Sequence, residues 1–102
     1  MAESTLTAYA AAGALSAAAG VARLTATADA AFTLANASGL TTDSAQKDIS
    51  NESTATHTVT GSFVDGNVTK TTIIMPPGSF VRLQATGNAA WRLVSHNKAT
   101  LL

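Results

Sequence analysis

The chain has 102 residues, no cysteine, and a net charge of zero from six basic and six acidic side chains. That length supports one domain at most. With no basic surplus, nucleic acid is excluded as the main partner, and without cysteine there are no disulfides, thiolate chemistry or Cys-based zinc sites.

Charged residues make up 12 % of the chain, about half the usual share. A surface so short of charge is poorly protected against association, which suits a protein living inside an assembly. A domain this small buries a modest fraction of its chain, so partner chains can supply part of its core. Much of the apolar content is alanine; the large aromatic side chains are one Trp, one Tyr and three Phe. Abundant Thr and Ser suit half-exposed strands.

Residues 1–20 are of low complexity. Alanine favours helix, but Gly13 interrupts the run, and Leu6, Tyr9, Gly13 and Leu15 form no wide apolar stripe. An isolated Ala-rich helix of this length is marginal in water. Two readings stand: a short helix, or an extended N-terminal arm lying on a neighbouring surface. Small side chains let a backbone approach another closely, which favours the arm. A secretory signal is not expected, because Glu3 replaces the positive start and the following core is Ala, Gly and Ser. No run approaches the roughly 20 strongly apolar residues of a membrane span.

Residues 21–27 and 30–35 read as two short strands with Asp29 at the turn, Phe32 and Leu34 sharing a face. Asn36 to Gly39 breaks the pattern. Residues 41–56 are polar, with Ile49 their only large apolar side chain; they read as a long contact loop. His57 to Val64 is the next strand, with Gly61 marking a bulge or a close approach, Trp91 being the expected neighbour. Asp65-Gly66-Asn67 is a hairpin turn, and Val68 to Met75 returns. Pro76-Pro77-Gly78 forbids helix and favours a tight turn. Val81, Leu83 and Ala85 alternate, Gly87-Asn88 turns, and Trp91 and Leu93 alternate again. The tail ends in Leu101 and Leu102, which would prefer a partner surface to water.

This pattern predicts an all-β domain over 21–102: a small antiparallel β-sandwich or barrel, jelly-roll-like, of roughly six or seven strands with the long loop 41–56.

No catalytic motif stands out. His57 and His96 read as surface histidines at strand ends, since a metal or catalytic pair would need a carboxylate such as Asp65 or Glu52 and a motif spacing that is missing. No GxSxG surrounds any serine, and a Ser-His-Asp triad has no local support. Gly13 and Gly20 lack the context of a phosphate loop. No enzyme activity, cofactor or metal is therefore expected. Asn36, Asn51 and Asn67 begin Asn-X-Ser/Thr triplets, which arise by chance in a chain so rich in these residues. Trp91, Phe80 and Tyr9 suggest a carbohydrate-stacking set; the simpler reading buries Trp91 beside Leu93, Val81 and Leu83. Arg82 and Arg92 fall on the opposite face, solvated or paired with an acidic patch on another chain.

The run from Pro76-Pro77-Gly78-Ser79-Phe80-Val81-Arg82-Leu83 through Gly87-Asn88 to Trp91-Arg92-Leu93-Val94-Ser95, preceded by an apolar strand, resembles a β module of tailed-bacteriophage virion proteins. Phe32-Thr33-Leu34-Ala35-Asn36-Ala37-Ser38-Gly39 fits its earlier strands, so the resemblance covers residues 20–96. It is similar to capsid decoration (cement) proteins, head fibres and small tail β domains. The resemblance implies a structural protein on the outer surface of the virion capsid, made in the bacterial host cytoplasm. It would bind between major capsid subunits and pair with copies of itself as a homo-oligomer, trimers being common in such proteins, with no nucleic acid or membrane partner. Leu6, Tyr9 and Leu15 of the arm, Arg82 and Arg92, and Leu101 and Leu102 are the candidate contact residues. A receptor- or glycan-binding domain of a phage tail or head fibre is the alternative.

Overall fold

Between Gly20 and Leu24 burial alternates strictly: Ala22 and Leu24 point inward, Val21 and Arg23 outward. This period of two recurs along most of the chain, and it sets which side chains meet in the core. The structure, a computed structural model, describes residues 5–15, 20–35, 46–85 and 90–102. Among them run ten strands: β1 (Thr5–Tyr9), β2 (Gly13–Leu15), β3 (Gly20–Leu24), β4 (Ala31–Leu34), β5 (Gln46–Asn51), β6 (His57–Asp65), β7 (Val68–Met75), β8 (Phe80–Ala85), β9 (Trp91–Asn97) and β10 (Thr100–Leu101). They join in a single sheet of order β1-β3-β5-β8-β9-β6-β4-β2, with β7 on β6 and β10 on β7. The sheet folds over on itself as a barrel-like sandwich, so inward side chains from both arms share one core: Leu24, Ile49, Val81 and Leu83 from one, Leu15, Phe32, Leu34, Val59, Ile73 and Met75 from the other.

The chain is all-β, and its first half winds. β1, β3 and β5 stack in parallel in one arm, and β2, β4 and β6 do so in the other. Each coil of chain thus gives one strand to each arm. Because the chain crosses between arms after every strand, the next strand in an arm returns in the same direction. Antiparallel pairing, expected throughout, is confined to β5–β8, β6–β7, β8–β9 and β7–β10. β9 also meets β6 in parallel through Phe63↔Trp91 and Val64↔Arg92, which bridges the arms.

Two expected irregular segments are strands. Residues 5–9 and 13–15 are neither helix nor detached arm; they are the first coil, and Leu15 is 3 % exposed in the core. A parallel neighbour supplies the backbone hydrogen bonds that so short an Ala-rich stretch cannot supply itself. Within the expected loop 41–56, Gln46–Asn51 is β5, with Lys47, Ile49 and Asn51 inward and Gln46, Asp48 and Ser50 outward. The alternation is there, but two of its three inward residues are polar.

The C-terminal expectations fare differently. Asp65-Gly66-Asn67 turns the β6–β7 hairpin with Gly66 at φ 66°, a conformation glycine adopts without penalty. The Ser79 N–H donates to the Pro76 carbonyl at 3.0 Å, closing the Pro-Pro-Gly turn. Trp91 is fully buried, and its Nε1–H donates to the Ala35 carbonyl at 3.0 Å. Val59 and Phe63, four residues apart, share the inward face by the period of two, and between them the register of β6 on β7 shifts by one residue, between Thr60 and Phe63. Gly61 sits at that bulge because a Cβ there would lie 2.9 Å from the Leu34 carbonyl oxygen and 2.9 Å from the Phe63 ring; the close neighbours are these groups rather than Trp91. The Gly87-Asn88 turn lies outside the described residues.

Candidate functional site

The outward residues of β3, β5, β8 and β9 form one polar face. Cross-strand register places Val21 beside Asp48 and Asp48 beside Arg82, and it sets Gln84 opposite Arg92. Neighbours so placed interact directly. Arg82 Nε–H donates to Asp48 Oδ1 at 3.1 Å, and Gln46 Nε2–H donates to the same carboxylate oxygen at 3.3 Å. Arg92 donates to Gln84 Oε1. Arg23 holds Glu52 through two hydrogen bonds, at 2.7 and 3.0 Å, and Ser50 Oγ–H donates to Glu52 at 3.2 Å. The Arg23 hydrogen bond holds the Glu52 carboxyl below its usual range, and Glu52 in turn raises the guanidinium. Phe80, half-buried, lies beneath Arg82, whose guanidinium carbon is 5.7 Å from the ring centre. Three guanidinium groups and two carboxylates thus share a face on which each is held by a neighbour.

The candidate contact residues are distributed as follows. Arg82 and Arg92 come together on this face. Leu6 lies on β1 opposite Val21, one strand further along the same arm. Tyr9 is half-buried and packs edge-to-face on Phe32, 6.5 Å between ring centres. Leu15 belongs to the core, so it offers nothing to a partner. Leu101 is half-buried against the core beside Ile73. Leu102 bonds its backbone to Thr72 and Thr71, yet its side chain is 58 % exposed. The proposed carbohydrate-stacking set is dispersed: Trp91 points inward, Phe80 outward, and Tyr9 packs on the core edge.

His57, expected at the surface, is fully buried. Its Nδ1 accepts the Ala30 N–H at 3.1 Å, and its Nε2 lies 3.2 Å from the Ala26 carbonyl and 2.9 Å from Ser53 Oγ. The ring packs edge-to-face on Phe32 at 5.5 Å. An Nδ1 that accepts requires the proton on Nε2. Nε2 therefore donates and cannot take a proton from Ser53, so the pair is not a nucleophile and its base; through Ala26, Ala30 and Ser53 the ring ties the β3–β4 turn and the β5–β6 loop to β6. Beside it, buried Asn51 donates to the Ala55 and Met75 carbonyls at 2.7 and 2.8 Å and accepts from the Ser53 N–H and Oγ–H at 3.0 and 2.7 Å. Its backbone bonds Ser79 and Gly78 of the Pro-Pro-Gly turn. An amide so fully engaged and 2 % exposed is closed to glycosylation, whereas Asn67 stands at an exposed hairpin tip.

Sequence reasoning missed the buried bonding role of Asn51, the burial of Lys47 and the Arg23–Glu52 pair. The only available signal was the period-two spacing of residues 46–51 around Ile49. Among the described residues, no group of three or more His, Asp or Glu side chains is placed to hold a metal ion. No protein-family model matches the chain, and neither does any characterised protein or solved structure.

Proposed function

We propose that the chain is a structural virion protein, a decoration (cement) protein that binds between major capsid subunits on the outside of a tailed-phage head. One observation carries this reading beyond the resemblance: the polar face of β3, β5, β8 and β9 presents Arg23, Arg82 and Arg92 already fixed by Glu52, Asp48 and Gln84. Side chains ordered before contact lose little rotamer entropy on docking. A rigid, mildly basic strand face suits broad contact with a shell subunit, and many weak copies of such a contact oppose rupture together. The glycan-binding alternative is disfavoured because its strongest stacking residue, Trp91, is buried.

The test is co-sedimentation of the purified protein with expanded and immature shells of its phage. Saturable binding to expanded shells, reduced about tenfold or more by a combined Arg82→Glu and Arg92→Glu change, is the expected result. Equal binding by the charge-reversed protein would remove the face from the docking role, and no binding by either would remove the decoration role. Quenching of Trp91 fluorescence by sugars would restore the glycan reading.

A further inference from the structure

The first coil ends the sheet twice. β1 and β2 are the two ends of the strand order, and they are joined by Ala10, Ala11 and Ala12 alone. Both edges therefore open at one end of the molecule, with no strand beside either among the described residues. The backbone groups that β1 turns away from β3 can be named. The Thr25 N–H donates to the Tyr9 carbonyl at 2.9 Å, so in the parallel ladder Tyr9, Thr7 and Thr5 turn their backbone groups toward β3. Leu6 and Ala8 then turn their N–H and C=O groups away from β3, to the side where no described strand lies.

Exposed edges of soluble proteins are usually guarded by lysine, proline, a bulge or an inward charge. Residues 4–22 contain no charged residue and no proline, and Ala8, Gly13 and Ala14 are small, exposed residues. Among the described residues of this coil, no charge or proline opposes the approach of another strand.

We infer that the first-coil edges are a self-association site, occupied by the first coil of a second copy of this chain. A partner must offer two strand edges that meet at one corner; a second copy does so by construction, and with zero net charge no long-range repulsion opposes it. Two-fold pairing of β1 with β1 runs antiparallel. With Thr7 on the axis, each copy's Ala8 faces the other's Leu6, and both pairs exchange N–H and C=O. The interface is isologous and closes at a dimer. It lies at the sheet ends, beside Arg23, which the register sets opposite Ala8, but away from Arg82 and Arg92, and it does not depend on a shell.

The experiment is sedimentation equilibrium of the isolated protein over a wide concentration range, with Ala8→Pro beside the wild type. Wild type should shift from the 10.3 kDa chain to twice that mass, and the Ala8 amide should gain exchange protection as it does so. Ala8→Pro removes an N–H that β3 does not use, at an edge position where proline is tolerated, and should raise the dimer dissociation constant about tenfold or more. If Ala8→Pro fails to fold, Ala8→Lys keeps the N–H and sets two like charges across the axis, with the same expected loss. A wild-type monomer at every concentration, a trimer, or a dimer that survives in a folded Ala8 variant overturns the inference. Failure to bind shells while the dimer forms would overturn only the decoration reading.

Discussion

The two halves of the molecule reach the same core by different routes. From residue 5 to residue 65 the chain crosses between arms after every strand, and its pairings are parallel and distant in sequence. From β6 onward, hairpin and short returns make antiparallel pairs. Both halves fill the core, the coiled half with Leu24, Phe32, Leu34, Ile49, Val59 and Phe63, but its first coil is thin in buried side chains. The first coil contributes Leu15 to the buried core and rests half-buried Tyr9 against it, whereas β7 to β9 contribute Ile73, Met75, Val81, Leu83, Ala85 and Trp91. Burial of apolar surface is the main stabilising term, at about 25 cal/mol per Å². The C-terminal strands should therefore cohere more strongly than the first coil, which is held mainly by its ladder to β3 and β4. An element with few buried apolar contacts is where local opening begins.

Removing the largest side chain on the strong side gives the severest test. Trp91→Ala should cost about 3–5 kcal/mol in urea unfolding, because it empties core volume and removes the hydrogen bond to the Ala35 carbonyl. A cost under about 1 kcal/mol would sink the account of a Trp-anchored half. Leu15→Ala on the weak side should cost about 2 kcal/mol, at the low end for a buried leucine, since the sheet end can partly collapse onto the gap. The sharper readout is hydrogen exchange. Leu15→Ala should speed exchange of β1 and β2 amides with little effect on β8 and β9, whereas Trp91→Ala should speed all of them. Uniform loss of protection in Leu15→Ala would mean the two regions open as one unit.

The same division explains what could be read from the sequence. In the antiparallel half, local signals decide: Asp65-Gly66-Asn67 and Pro76-Pro77-Gly78 specify turns, and Val81, Leu83, Trp91 and Leu93 alternate between them. The all-β class and the burial of Trp91 followed from these. In the coiled half, partners lie 15, 19 or 27 residues away, as in Thr5↔Gly20, Gly13↔Phe32 and Ala31↔Thr58. Unequal offsets leave no visible repeat, and alanine in a strand carries a helical propensity that its distant neighbour overrides. Arg82 and Arg92 were correctly placed away from the core by their period-two position. The pairings Asp48–Arg82, Gln84–Arg92 and Arg23–Glu52 escaped notice because the side chains that hold one another come from strands paired only in three dimensions. His57 was misplaced for a related reason: its acceptor role depends on the Ala30 N–H, 27 residues away.

The smallest expected effect lies where the halves meet. Lys47 on β5 is flanked by Gly20 of the coiled half and Leu83 of the antiparallel half, and it is 3 % exposed. Burial pushes its ammonium pKa down from the ordinary value, because the charged form loses hydration. The unfolded chain keeps this proton up to about pH 10.4, whereas the folded protein releases it earlier. Between the lowered folded value and the unfolded value the unfolded state binds more protons, so stability rises with pH through that window and levels off above it. On the acid side of the window that contribution is lost. Lys47→Met keeps the length of the stem without the charge. The difference between the wild-type and Lys47→Met urea midpoints should therefore shrink as pH rises across the alkaline range, at constant ionic strength. Midpoints that move in parallel would show that the ammonium is as well hydrated in the folded protein as in the unfolded chain, and that the junction of the two halves is open to water.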